Sequence, residues 1–418
     1  MRTTIRIAVL LVGLGAVPLR ADAEPRDDGR TPPDPSKDCI VQVVSTDGRG
    51  TAWRTVSREA CLARAHLAGD QPPLTIELIR RGPGGPLAIS GATPEHCSFI
   101  PYDMQLKGRG KSRKFWCYRT DAQGRYYSDA QAIVPDASGV SAAGFLVDAR
   151  GQTLTDDMGR ARRPEIIKVK YSTGGNRGRE VNTEVAVHRF LWTLGFPTDH
   201  MFRATVVCAG CSRDPFNDIR TPADNRPAGG TNVFEQASIE RRAWTPLDSD
   251  QDAGWKWDDV YAMWSGDPEK RIQFEAYVLA LNLVHFHNGI SKQNTLACDP
   301  RTWDPATGRC GHPVIFLDDP GSSFGGGSQR GDYDTYRSHR VFLDAGACAL
   351  RADLAGFGRP SEAARSFLVA RLNNLTPEGV RAIFESAGFD ENTTGGSAAA
   401  WSTMFLGRIE EVRHASCR

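Results

Sequence analysis

Apolar and polar positions change period along this chain, and the changes mark its elements. Arg2 and Arg6 precede an apolar run from Ile7 to Leu19, and Ala21-Asp22-Ala23 has the small-x-small form of a signal-peptidase site, so residues 1–23 read as a cleaved signal peptide. That run is shorter than the ~20 residues needed to cross a bilayer, and no later segment is apolar enough to span one. Residues 24–38, rich in Pro, Asp and Arg, read as a disordered linker. From Ile40 to Val44 the pattern predicts a strand, from Arg58 to Ala68 a helix, and from Leu74 to Ile79 another strand, in a cystine-stapled accessory region over 39–100. Strands and turns continue from Phe99 to Tyr127, with a hairpin turn predicted at Asp121 to Gly124. Ser128 to Arg163 shows no period and reads as an extended insertion between two strands. No internal repeat is visible.

The second part of the chain is more regular. Glu165 to Tyr171 alternates as a strand, and Glu180 to Leu194 has helical apolar spacing, stopped by Gly195. Strands are predicted at Phe202 to Cys208 and Asn232 to Ile239, then a long helix from Lys270 to Phe286 and a short buried strand from Pro313 to Leu317. Helices follow at Pro360 to Leu372, Pro377 to Ala387 and Ala399 to Arg413. The fold class is therefore α+β, with a β-rich lobe over 101–242 and a helical lobe over 243–418.

Composition narrows the function. The 51 Lys and Arg residues against 50 Asp and Glu leave a net charge of +1, so no electrostatic excess points to nucleic acid or an anionic membrane as partner. Ten cysteines behind a signal peptide point to disulfides and a secreted or periplasmic location. Pairs that close short loops are favoured: Cys39 with Cys61, Cys97 with Cys117, Cys208 with Cys211 and Cys298 with Cys310, leaving Cys348 for Cys417. A zinc site at Cys208-x-x-Cys211 lacks the second close pair it needs.

Candidate chemistry concentrates in a few residues. Phosphoryl transfer needs a cation on the nucleotide phosphates, an anion that orients it, and hard oxygen donors for a divalent metal. Lys170 lies in a predicted strand with Lys168 on the same face; Glu184 lies on the next helix, with Glu180 one turn earlier as its rival. Asn294 and Asp319 offer oxygen donors suited to magnesium or manganese, and Gly108 and Gly110 lie in a basic turn able to fold over phosphates.

Two stretches carry a family resemblance: His287 to Leu296 reads H-N-G-I-S-K-Q-N-T-L, and Phe316 to Gly325 reads F-L-D-D-P-G-S-S-F-G. They resemble the H-R-D-L-x-x-x-N and D-F-G segments of the protein-kinase-like superfamily. The chain looks still more similar to a group of secreted bacterial kinase-like proteins, through Lys168 to Tyr171, Glu184 to Phe196, Cys208 to Cys211, Asn294 to Cys298 and Asp319 to Gly325. This resemblance implies a bilobal fold with ATP between the lobes, Lys170 on phosphate, Glu184 orienting it, and Asn294 and Asp319 on the metal. One departure matters. Gly289 stands where the family has its catalytic Asp, and no carboxylate lies between Phe286 and Gln293. His287 is then the remaining candidate base, although in the family pattern that histidine is structural. The implied function is a nucleotide- and metal-binding pseudokinase or an atypical phosphotransferase, with a protein, lipid or small-molecule substrate that the sequence does not name. Two alternatives stand beside it. One is an exported binding module without enzyme activity. The other is a serine hydrolase in which Gly321 to Gly325 matches G-x-S-x-G and Ser323 acts with Asp344 and His414, although the glycine-rich run after it is a poor helix start.

Overall fold

The computed structural model describes residues 39–418 apart from 47–49, 56–57, 85–88, 90, 92, 103–104, 106–111, 130, 173–177, 222–224, 228, 248–254, 287–293, 305–308, 326–329 and 418. The proposed signal peptide and linker, Gly108, Gly110, His287 and Gly289 thus lie outside the described residues, as does the side chain of Cys39 and its expected pairing with Cys61. β1 (Cys39–Thr46) and β2 (Gly50–Thr55) form an antiparallel hairpin, and α1 (Arg58–Arg64) follows. Where a strand is predicted from Leu74 to Ile79, the chain instead forms α2 (Ile76–Arg81). The cause is local, because Thr75 is an N-cap whose hydroxyl accepts from Leu78 N, and Glu77 complements the helix dipole in the first turn.

β3 (Glu95–Phe99) and β4 (Lys114–Thr120) come next, then an insertion containing the short β5 (Gly139–Val140) and β6 (Leu146–Val147). β7 (Ile166–Tyr171), α3 (Gly178–Thr193), β8 (His200–Cys211), α4 (Pro215–Arg220) and β9 (Gly230–Arg241) complete this part. Five of these strands close a barrel in the order β3-β4-β7-β9-β8, antiparallel except for the β3–β8 pair. Its interior is filled by Phe115, Ile167, Val169, Phe202, Val206 and Ile239. Side chains alternate along a strand, so the same register that puts Ile167 and Val169 inside sends Lys168 and Lys170 outward.

The insertion does contain a repeat, a recurring left-handed turn that Asp-x-x-Gly marks at Asp121, Asp148 and Asp156. The carbonyls of Asp121, Ser128, Ser141, Asp148 and Asp156 each accept from the N–H three residues on, and that third residue is left-handed every time, with φ between 63° and 80°. Glycine fills the position in four turns, and Gln131 in the other. Asp121, Asp148 and Asp156 reinforce their turns by accepting two later backbone N–H groups on one carboxylate oxygen. Variable residues between the turns hide this from any search for hydrophobic period.

The helical part is built from β10 (Thr245–Pro246), α5 (Trp257–Trp264), α6 (Pro268–Leu283), β11 (Asn294–Cys298), β12 (Trp303–Asp304), β13 (Arg309–Cys310) and β14 (Pro313–Leu317). It ends with α7 (Tyr333–Ser338), α8 (Glu362–Leu372), α9 (Pro377–Ala387), α10 (Glu391–Thr394) and α11 (Ala398–His414). The architecture is thus mixed α+β. β1 pairs with β13, and α1 with the residue after it places Cys61, Leu62 and Ala65 in the helical core, so residues 39–65 are structurally part of this half. Among the described residues Cys97–Cys117, Cys208–Cys211, Cys298–Cys310 and Cys348–Cys417 are at disulfide distance, as expected, and no helix is long and apolar enough to cross a membrane.

His200 supplies a test of the barrel's burial. It begins β8 with its ring edge-on to Phe202, and burial, with a contribution from Arg241, pulls its imidazole down from 6.5 to about 4. The unfolded chain therefore takes up the proton first, so this group's stability is complete above pH 6.5 and is lost as pH falls towards 4. The loss amounts to about 3 kcal/mol at most, at ~1.4 kcal/mol per unit. Urea unfolding of wild type and His200→Gln at stepped pH values should show the variant with the shallower acid slope; parallel slopes would contradict the assignment.

Candidate functional site

The outward face of β7 meets α3, which lies against β7, β8 and β9. Glu184, in the second turn of α3, points back at the strand, and Lys170 Nζ donates to its Oε1. Asp319, two residues beyond the end of β14, brings Oδ1 to 3.4 Å from the same Nζ. Side-chain exposure rises from 0% at Glu184 and 3% at Lys170 to 22% at Asp319, so the trio runs from the interior to an opening. Gly321 permits this closeness. A Cβ there would stand 2.7 Å from Glu184 Oε1 and 3.1 Å from Glu180 Cγ, so a side chain would push the Glu184 carboxylate from its place.

Charge is distributed unequally in the trio. For Lys170 burial opposes ionisation, yet Asp319 and Glu184 outweigh it and hold the ammonium well above its ordinary value. Burial pushes Glu184 up, despite Lys170, with Asp319 adding to the rise. Burial also resists the charge on Asp319, but Lys170, a hydrogen bond from Glu184, and Lys168 together bring that carboxyl below the usual range. Asp319 is thus the firm anion at the opening, and Glu184 the readiest to hold a proton. Lys114, opposite Lys170 in the β4–β7 register, has its pKa lowered by burial and by the charges of Lys170 and Lys168. The sequence reading missed Lys114, because a strand register is needed to see that it stands beside Lys170.

The alternatives left open in the sequence separate here. Lys168 faces Glu240 across the β7–β9 register at 2.5 Å, whereas Lys170 takes the position between Glu184 and Asp319. Glu180 accepts from Ser112 Oγ and pairs with Arg330 at 2.5 Å, leaving Glu184 to the lysine. Asn294 opens β11 opposite Leu317 of β14, the residue two before Asp319 in the chain. Its Nδ2 donates to Trp255 O at 2.7 Å, while its buried Oδ1 has no hydrogen-bond partner. Glu180, Glu184 and Asp319 present oxygens within 4.8 Å of one another. These carboxylate oxygens, and the unpartnered amide oxygen of Asn294, are hard donors of the kind that magnesium or manganese takes. Asp199, Glu240 and Asp318 make a second such group behind Lys168.

Phe324 fixes the segment that carries Asp319. It is 1% exposed, and the rings of Tyr336, Phe384, Phe389, Trp401 and Phe405 surround it at 5.3 to 6.0 Å. Its N–H donates to Val284 O at the end of α6. Ser323, the nucleophile of the hydrolase alternative, is fully buried and donates to Pro320 O at 2.8 Å, while His414 turns its Nε2 to Glu410.

No family model matches the chain, and no curated protein matches it. Among solved structures it is similar to the crystal structure of a Helicobacter pylori proinflammatory kinase, CtkA, with 10% sequence identity and a TM-score of 0.34, over 63% of this chain and 90% of that one.

Removing one member of a buried charged pair leaves the other unsatisfied, at a cost of about 3–5 kcal/mol. Lys170→Met and Glu184→Leu should each lower unfolding stability by that order, while the double variant loses clearly less than the sum. Additive losses in urea unfolding would show that the two side chains are not coupled.

Proposed function

We propose that this protein is an exported, kinase-like nucleotide-binding protein that takes ATP with magnesium or manganese. The observation that carries the reading is the convergence of Lys170, Glu184 and Asp319 from a barrel strand, a helix and a post-strand loop. The donor set and the order of elements support it, and the cystines fit an oxidising compartment. In this reading Lys170 binds nucleotide phosphate, with Lys114 adding positive charge at its flank. Glu184 orients Lys170 and, by sharing its proton readily, lets the pair adjust when a phosphate arrives. Asp319 and Asn294 would hold the divalent cation, which when bound neutralises charge on the phosphates. Asn294 is held in place by the β11–β14 ladder and by the bond from its Nδ2 to Trp255 O.

Gly289 removes the carboxylate that accepts a hydroxyl proton in protein kinases. We therefore assign nucleotide and metal binding to this chain, with phosphoryl transfer slow or lost. His287 is the one side chain of the loop with a pKa suited to proton transfer.

A ligand that binds only the native state stabilises it by ~2.7 kcal/mol at a hundredfold excess over its dissociation constant. ATP with manganese or magnesium should raise the unfolding midpoint of the wild type, ATP without metal should do so far less, and Asp319→Asn should abolish the metal dependence. Phosphate release measured in the same samples distinguishes an atypical phosphotransferase from a pseudokinase. No stabilisation by any nucleoside triphosphate with either metal would overturn the reading.

A further inference from the structure

A cleft of about 410 Å³ lies on the other side of α3, lined by Arg80, Arg189, Arg203, Glu235, Glu385 and Ser386 among others. Arg189 follows Glu184 by five residues, a rotation of about 140° around a helix, so it faces away from the Lys170 pair. Arg189 is 3% exposed, and among the described residues no carboxylate faces its guanidinium. One bond is accounted for, from Nη1 to Arg80 O at 2.8 Å, and the buried Nε has no partner. A guanidinium has five N–H donors, and leaving a buried charge without an anion costs far more than capping one helix end returns. Burial alone pulls Arg189 down to about 10, with no opposing acid.

The other charges around the cleft do not cancel it. Arg80 is balanced by Glu385 at 2.9 Å, and Glu385 also accepts from Arg381 at 2.7 Å. Arg203 forms no ion pair among the described residues; its guanidinium rests against Gly388, where a Cβ would stand 2.1 Å from Nη1, and its charge reaches Asp390 only at longer range. Glu235 is exposed at the rim, where solvent screens it. The adjoining stretch from Gly82 to Pro94 contains no acidic residue to supply a counter-charge.

We propose that this cleft is a second ligand site, which binds the phosphate group of a small phosphomonoester or free phosphate between Arg189 and Arg203. Two unbalanced guanidinium groups match a dianion, and their planar donor forks match its oxygens. The cleft has room for a group larger than the phosphate itself.

The site is independent of the nucleotide reading, and the test keeps the two apart. Inorganic phosphate and phosphoserine are titrated calorimetrically into wild type, Lys170→Met, Arg189→Met and Arg203→Met. Each arginine variant should weaken phosphate binding by about tenfold or more, as loss of a charge-assisted contact does, while Lys170→Met changes it little. Arg203→Met carries the test if the buried Arg189→Met variant fails to unfold cooperatively. Tighter binding of phosphoserine than of phosphate assigns the site to phosphomonoesters; equal binding assigns it to the free anion. Binding lost in Lys170→Met but kept in Arg203→Met, or no binding to wild type at millimolar phosphate, overturns the proposal.

Discussion

A lysine and a glutamate can share a nearly dry contact only if the fold delivers both at once, and the Lys170–Glu184 pair sets that demand here. β7 must keep the register that sends Ile167 and Val169 into the barrel, since a slip of one residue would turn Lys170 inward. α3 must lie across the strands so that its second turn meets β7. Position 321 must be glycine-sized for Asp319 to close the third side. The barrel, the helix and the loop after β14 are thus bound to one another through a few polar atoms.

The two hydrophobic cores serve that contact from opposite sides. The barrel core holds β7 through Ile167 and Val169, while the larger helical core takes the inner face of α3, through Val185, Phe190 and Leu191, into a shared mass with α6, α9 and α11. Phe324 extends this mass under the Asp319 segment, and five aromatic rings give that loop a fixed seat although it has no regular structure of its own. Asp319 can therefore face an opening without losing its position. The other face of α3, with its uncompensated Arg189, shows that this single helix carries buried charge on two faces.

Much of the scaffold is legible in the sequence, where a period exists to read. The alternation of Ile167, Lys168, Val169 and Lys170 and the helical spacing from Val181 to Leu194 give strand, helix and outward lysines directly. The strand expected from Leu74 to Ile79 fails because the N-cap at Thr75 outweighs apolar character in so short a stretch. The turns from Asp121 to Gly159 escape a search for hydrophobic period, because what recurs there is Asp-x-x-Gly and not an apolar face. Within the site, Lys170, Glu184 and Asp319 follow from order along the chain. The choice of Lys170 over Lys168, the presence of Lys114, and the second cleft do not, since each depends on cross-strand register or on which acids fail to arrive.

The most direct measurement is anomalous scattering from crystals grown with manganese and a non-hydrolysable ATP analogue. A manganese peak in bonding contact with the Asp319 carboxylate and Asn294 Oδ1, with nucleotide phosphate against Lys170, is the expected result. A bound nucleotide whose metal lies away from both residues, or crystals that hold metal and nucleotide elsewhere while Lys170 and Glu184 stay paired and unvisited, would contradict it.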